Sequence, residues 1–203
     1  MIVYGKHDSG DARSVAANTL FEISSLTKVF TALLLADMVH RKELQFDDPI
    51  DHYLPAGFRT PQRNGRAITL ADLATHTSGL PLFPPITGNS LDALARYTAS
   101  DLRLWLAGQT LSRDPGAQWE YSNVGYALLG LALANKAGTT YDAQLNRRII
   151  GPMKTEGHSS SSDGRSNPAT GCRTRSKGGA DSAARSGHLR SGRRSPFHRG
   201  EPA

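Results

Sequence analysis

Two short constellations carry residue types able to do nucleophilic chemistry. In Ser25-Leu26-Thr27-Lys28 a hydroxyl and an amine stand three residues apart, beside the start of an apolar stretch. Positions i and i+3 share a face of a helix, so the Lys28 amine can reach the Ser25 oxygen. Burial disfavours an ammonium, which would let a neutral Lys28 act as base toward Ser25, and a helix N-terminus favours negative charge developing nearby. The same spacing equally fits a serine at a helix start followed by a snorkelling lysine. In Tyr121-Ser122-Asn123, the tyrosine offers a phenol able to relay a proton. The asparagine offers a donor and an acceptor able to orient an amide. The plainer reading is a tyrosine packing its ring, with Asn123 capping the helix that follows.

The elements that must position these groups read as mostly helical. Residues 19–40 predict one long helix, with Leu26, Val29, Phe30, Leu33, Leu34 and Met38 on more than one face, the pattern of a central buried helix. Turn signals from Asp47-Asp48-Pro49 to Asn64-Gly65 break the chain after it. Thr69-Leu70-Ala71-Asp72 has the spacing of a capping box, opening a short helix that stops before Gly79 and Pro81. Ser90 and Ser100 are expected N-caps for helices containing Leu91, Leu94, Leu102, Trp105 and Leu106. Asp114-Pro115-Gly116 is a turn, and residues 123–136 form a helix closed by Gly138. Strand signals are confined to residues 1–4 and 20–23, and there is no internal repeat.

The 203 residues suit one domain or two small ones, and the single cysteine, Cys172, excludes an internal disulfide framework and a Cys-based zinc knuckle. The longest apolar stretch, near Val29 to Val39, is about 11 residues, too short to span a bilayer. The net charge of +6 is localised: residues 1–156 hold 15 basic and 15 acidic residues, whereas residues 157–203 hold 9 and 3. That last stretch contains ten Ser, eight Gly and eight Arg, with Leu189 and Phe197 its large apolar side chains, a composition of disorder. A basic arm contacting nucleic acid is one function for it, but the stacking aromatics such an arm uses are absent, so a nucleic-acid partner is not expected. The same composition is what a GC-rich gene encodes out of frame, which would end the native frame near Glu156. A one-base correction that restores no homologous frame would dismiss this idea.

Taken together and in this order, three segments identify a family. Thr19-Leu20-Phe21-Glu22-Ile23-Ser24-Ser25-Leu26-Thr27-Lys28 is followed by Leu73-Ala74-Thr75-His76-Thr77-Ser78-Gly79-Leu80-Pro81. Pro115-Gly116 and Tyr121-Ser122-Asn123-Val124-Gly125-Tyr126 come after them. Over residues 4–155 the chain resembles the penicillin-recognising serine hydrolases, in the branch of class C β-lactamases, D-Ala-D-Ala carboxypeptidases/endopeptidases and related esterases. The resemblance implies that Ser25 attacks the carbonyl of a β-lactam, a D-Ala-D-Ala peptide or an ester to give an acyl-enzyme. Lys28 would help deprotonate Ser25, Tyr121 would relay the proton to the leaving group, and Asn123 would hold the substrate's side-chain amide. The Ser25 N–H and one from a strand would form the oxyanion hole. No metal or organic cofactor is implied, and the partner is a small-molecule or peptidoglycan-derived substrate. His76, within the family's Thr-His-Thr-Ser-Gly segment, reads as structural.

The chain departs from the family in one motif. Members carry Lys-Thr-Gly or His-x-Gly on a strand that walls the site and donates the second oxyanion N–H. Lys154-Thr155-Glu156-Gly157 looks similar but lies where the family has the preceding loop, without a strand pattern, and is rejected as that motif. The expectation is therefore an α+β, β-lactamase/transpeptidase-like chain truncated at both ends. Residues 1–156 form a partial domain, its helical part largely present and its antiparallel sheet incomplete, and residues 157–203 form the basic tail. Activity is expected to be weak or lost. The alternative is a non-catalytic fragment or binding module. Family members usually act in the periplasm or outside the cell, whereas the sequence as written shows no signal peptide and would stay cytoplasmic. Nothing in it fixes an oligomeric state.

Overall fold

The computed structural model describes residues 23–85 and 96–153, together with residues 2, 4–8, 11–16 and 19. Strands β1 (Lys6–Asp8) and β2 (Asp11–Ser14) pair antiparallel as a two-stranded ribbon, the one sheet among the described residues. A 3₁₀ turn, Ser24–Leu26, leads directly into helix α1 (Thr27–His40). Helices α2 (Leu70–Ala74), α3 (Ala99–Ala107), α4 (Asn123–Lys136) and α5 (Tyr141–Leu145) follow, the last running into a π turn at Asn146–Ile150. Helical structure thus dominates and the sheet part is small, in keeping with the α+β expectation. No helix is long and apolar enough to cross a membrane among the described residues.

The core lies between α1, α2, α3 and α4. Leu34, Leu35 and Met38 of α1, Leu70 and Leu73 of α2, Leu102 and Leu106 of α3, and Leu128, Leu129 and Leu133 of α4 are all buried in one cluster. Each such side chain contributes about 1.5–3 kcal/mol on burial. Small residues stand at two of the contacts, where a Cβ would reach only ordinary van der Waals distance: 3.5 Å from the Leu73 side chain at Gly125 and 3.5 Å from the Tyr141 ring at Gly130. The opposite flank of α1 is not covered. Leu26, Val29 and Leu33 are 63%, 55% and 45% exposed, so the expected all-round burial holds on one side only among the described residues.

Three helices end in the same way. After α1, Lys42 N–H bonds Val39 O and Glu43 N–H bonds Met38 O. After α2, His76 and Thr77 repeat the pattern on Leu73 O and Asp72 O, and after α4, Gly138 and Thr139 repeat it on Asn135 O and Ala134 O. These are Schellman motifs, whose pivot residue is left-handed: φ is +60° at Lys42, +61° at His76 and +65° at Gly138. Glycine is the usual occupant, because a Cβ is strained there. Only the third helix uses one.

Several expectations are corrected. The first helix starts at Thr27 rather than Thr19, because Ser24 adopts φ +46° and a tighter turn precedes α1. Ser100 lies inside the first turn of α3, whose N-cap is Thr98, in a capping box with Asp101. The expected box at Thr69 and Asp72 is present. Ile2 and Tyr4 are not in a strand, the ribbon beginning at Lys6, and Ile23 caps the 3₁₀ turn. Residues 1, 3 and 20–22, the Ser90 cap, Lys154-Thr155-Glu156-Gly157 and the tail from 157 to 203 lie outside the described residues.

Candidate active site

Ser25 sits in the 3₁₀ turn with its side chain exposed, one turn ahead of Lys28 at the start of α1. The left-handed Ser24 just before it is a conformation that costs a non-glycine residue about 1–2 kcal/mol. Lys28 Nζ donates to Ser25 Oγ at 3.3 Å, the i to i+3 contact expected from the spacing. The same amine donates to Asn123 Oδ1 at 2.7 Å and stands 4.8 Å from the centre of the Tyr121 ring and 5.6 Å from that of Tyr126. The Tyr121 phenol donates to Ser25 Oγ at 2.9 Å. Ser25, Lys28, Tyr121 and Asn123 therefore meet at one point, although the two pairs are about a hundred positions apart.

The segment that delivers Tyr121 and Asn123 is stitched to the loop after α2. Gly116 N–H bonds Thr77 O at 2.7 Å, Glu120 N–H bonds His76 O at 2.7 Å, and Asn123 N–H bonds Leu82 O at 3.0 Å. Ser122 Oγ donates to Pro81 O at 2.7 Å and accepts the Gly125 N–H at 2.9 Å. Ser122, not Asn123, is thus the N-cap of α4. That frees the Asn123 side chain, and its Oδ1 takes Lys28 instead. Tyr126 completes the docking of α4 on α2 by donating to Ala74 O at 2.8 Å, one of the carbonyls left open at a helix end.

Electrostatics follow from this packing. Partial burial pushes the Tyr121 phenol up, but hydrogen bonding with Lys28 and Ser25 and the Lys28 charge outweigh it, and the phenol lies below the ordinary tyrosine range. A phenol so lowered has more of its phenolate form present at a given pH. His76, half-buried, is held below the ordinary histidine range by desolvation first and by Lys28 second. Its Nδ1 accepts the Ser122 N–H at 3.1 Å, which suits the neutral ring. No group of three His, Cys, Asp or Glu side chains able to hold a metal occurs among the described residues.

Three contributions escape the sequence reading. Ser122 as cap follows the ordinary preference for serine at that position, a signal available but given to Asn123. The contacts of Tyr126 and His76 with the site had no spacing signal, since they depend on how α2 and α4 dock.

Comparison with known proteins gives consistent relatives. A family model described as Beta-lactamase matches residues 2–192. The chain is 33% identical over 150 residues to the D-alanyl-D-alanine-carboxypeptidase/endopeptidase AmpH of Escherichia coli (strain K12), covering 74% of this chain and 39% of the relative. It is 32% identical over 152 residues to a β-lactamase of the same organism, covering 74% and 37%. Among solved structures, a β-lactamase/D-alanine carboxypeptidase from Yersinia pestis complexed with citrate superposes with a TM-score of 0.70 at 28% identity, over 76% of this chain and 44% of that one. A D-stereospecific amidohydrolase from Streptomyces sp. follows at TM-score 0.56 and 29% identity, over 66% and 42%. The chain spans about two fifths of the length of these curated relatives.

Proposed function

Since the chain belongs to the beta-lactamase family, we propose that it is a serine acyl hydrolase in which Ser25 forms an acyl-enzyme on a β-lactam, a D-Ala-D-Ala peptide or an ester. The single observation that carries the reading is that Lys28 Nζ and the Tyr121 phenol both bond Ser25 Oγ. Two proton-handling groups on one exposed hydroxyl are what nucleophilic activation requires.

In this mechanism Ser25 Oγ attacks the carbonyl carbon while its proton passes to the Lys28–Tyr121 pair. The carbonyl π bond opens to an oxyanion, and the Ser25 N–H, at the leading end of the helical segment, donates to that oxygen. Collapse breaks the bond to the amine or alkoxide, and Tyr121 returns the proton to it. In deacylation, water attacks the ester and its proton takes the same route back to Ser25. Asn123 steadies Lys28 through Oδ1, while its Nδ2, without a protein acceptor among the described residues, faces the amide carbonyl of an incoming substrate.

We assign only one oxyanion donor among the described residues. Removing such a donor lowers turnover by about 100- to 1000-fold, so the Ser25 N–H is a substantial part of the proposal. The test compares a fluorescent penicillin, a D-Ala-D-Ala peptide and an activated ester under single-turnover conditions. Saturable acylation of Ser25 by one of the three supports the reading and names the substrate class. Failure of all three with folded protein leaves a non-catalytic member of the family.

A further inference from the structure

His76 occupies a place in the fold where a side chain is costly. It is the left-handed pivot that closes α2, the position Gly138 fills after α4, and its φ of +61° suits glycine better than histidine. What the residue does there, through its main chain on one side and its imidazole on the other, is visible in its contacts. The His76 carbonyl accepts the Glu120 N–H at 2.7 Å, and its Nδ1 accepts the Ser122 N–H at 3.1 Å. The chain is thereby gripped on both sides of Tyr121. The His76 ring also packs on the Tyr121 ring, 4.4 Å between centroids, with Tyr126 at 4.9 Å and Trp119 edge-on at 6.2 Å.

We infer that His76 is a positioning residue, which sets the Tyr121 phenol against Ser25 by holding the backbone on either side of it and stacking on its ring. It touches neither Ser25 nor Lys28 through a hydrogen bond in the structure and acts through Tyr121. The inference rests on the reading of Tyr121 as proton relay. The ring must be neutral to act this way, because a protonated imidazole has donors on both nitrogens and cannot accept the Ser122 N–H. Burial among the rings that face it, Tyr126 from α4 and Tyr121 and Trp119 from the segment between α3 and α4, disfavours the charged form, and the Lys28 charge from α1 adds to this.

Two variants separate the grip from the stacking. His76→Phe keeps a ring and loses the acceptor. His76→Asn keeps an acceptor near the Nδ1 position, loses the ring, and tolerates the left-handed backbone. The primary readout needs no substrate: ultraviolet difference titration of the Tyr121 phenol, against Tyr121→Phe in each background, with circular dichroism to establish folding. In the parent protein Tyr121 titrates below the ordinary tyrosine value of about 10, and in His76→Phe it returns toward that value. His76→Asn lies between them. Acylation by a fluorescent penicillin falls about 10- to 100-fold in His76→Phe, with partial rescue in His76→Asn. The parent's loss of rate as His76 protonates at low pH is absent in His76→Asn.

An identical Tyr121 titration in all three folded proteins overturns the inference, whatever the acylation rates. A Tyr121 shift in His76→Phe without acylation of the parent upholds His76 as positioning residue and contradicts the catalytic reading instead.

Discussion

Lys28 Nζ lies 2.7 Å from Asn123 Oδ1, across 95 positions of sequence, and closer than its 3.3 Å contact with Ser25. Helices α1 and α4 are thus joined beside Ser25 by a hydrogen bond between their first turns. Ser122 makes this possible by taking the capping role at α4. Asn123→Leu removes the acceptor and leaves the amine without it, a loss of about 1–3 kcal/mol for a buried group and less where solvent reaches it. Acylation of Ser25 is expected to fall about 10- to 100-fold, measured as the rate of penicillin labelling. An unchanged rate contradicts a role for this bond.

Tyr121→Phe deletes the phenol 2.9 Å from Ser25 and keeps the ring against His76. Loss of general acid–base assistance predicts a 100- to 10000-fold slower acylation with little change in melting temperature. In the proposed mechanism the phenol serves as base once deprotonated, so the parent rate rises with pH through the Tyr121 titration, which is shifted below the ordinary tyrosine value. In the variant that limb disappears. A pH profile of labelling for both proteins checks it.

The repeated helix ends give a stability test independent of chemistry. Lys42 and Gly138 hold the same left-handed pivot, with φ of +60° and +65°. Lys42→Gly relieves the strained Cβ and is expected to raise stability by up to about 1 kcal/mol, while Gly138→Ala lowers it by about 1–2 kcal/mol. A Cβ at Gly138 meets nothing within 4 Å, so conformation alone is at stake there. Urea denaturation measures both, and a destabilising Lys42→Gly would refute the shared-motif account.

Arg148 ties the π turn after α5 to the end of α1. It donates to Asp37 Oδ2 at 3.0 Å, to Glu43 at 2.8 and 3.0 Å, and to Gln144 Oε1 at 2.7 Å. Burial pushes the Asp37 carboxyl up, but the Arg148 and Arg41 hydrogen bonds and charges outweigh it and hold it below the ordinary carboxylate value of 3.8. A lowered carboxylate contributes stability that is complete above that value and is lost as pH falls through the folded-state titration. Arg148→Met leaves Glu43 without this partner and Asp37 with Arg41 alone, and is expected to cost about 1–3 kcal/mol at pH 7. The gap from the parent narrows below about pH 4, where the carboxylates protonate. Urea titrations at pH 7 and pH 3.5 read it, and an equal gap at both would count against the charge cluster.

What the sequence disclosed was local. The bounds of α4, the capping box at Thr69 and Asp72, and the Ser25–Lys28 contact all follow from spacing within one or two turns. Thr98-Ala99-Ser100-Asp101 also spells a capping box, and preference for serine misdirected the assignment to Ser100. The start of α1 was hidden because propensity alone does not foresee a left-handed Ser24. The grip of His76 on Tyr121 was hidden for a stronger reason. It depends on a left-handed backbone at a histidine and on contacts 44 to 46 residues away, and neither leaves a pattern in sequence.

The central claim is that Ser25 is a nucleophile. Intact-mass spectrometry after incubation with a fluorescent penicillin, and separately with an activated ester, tests it with Ser25→Ala as control. The account predicts a single adduct on the parent protein that is absent from the variant. An adduct that persists in folded Ser25→Ala, or none on folded parent protein with either reagent, would contradict it.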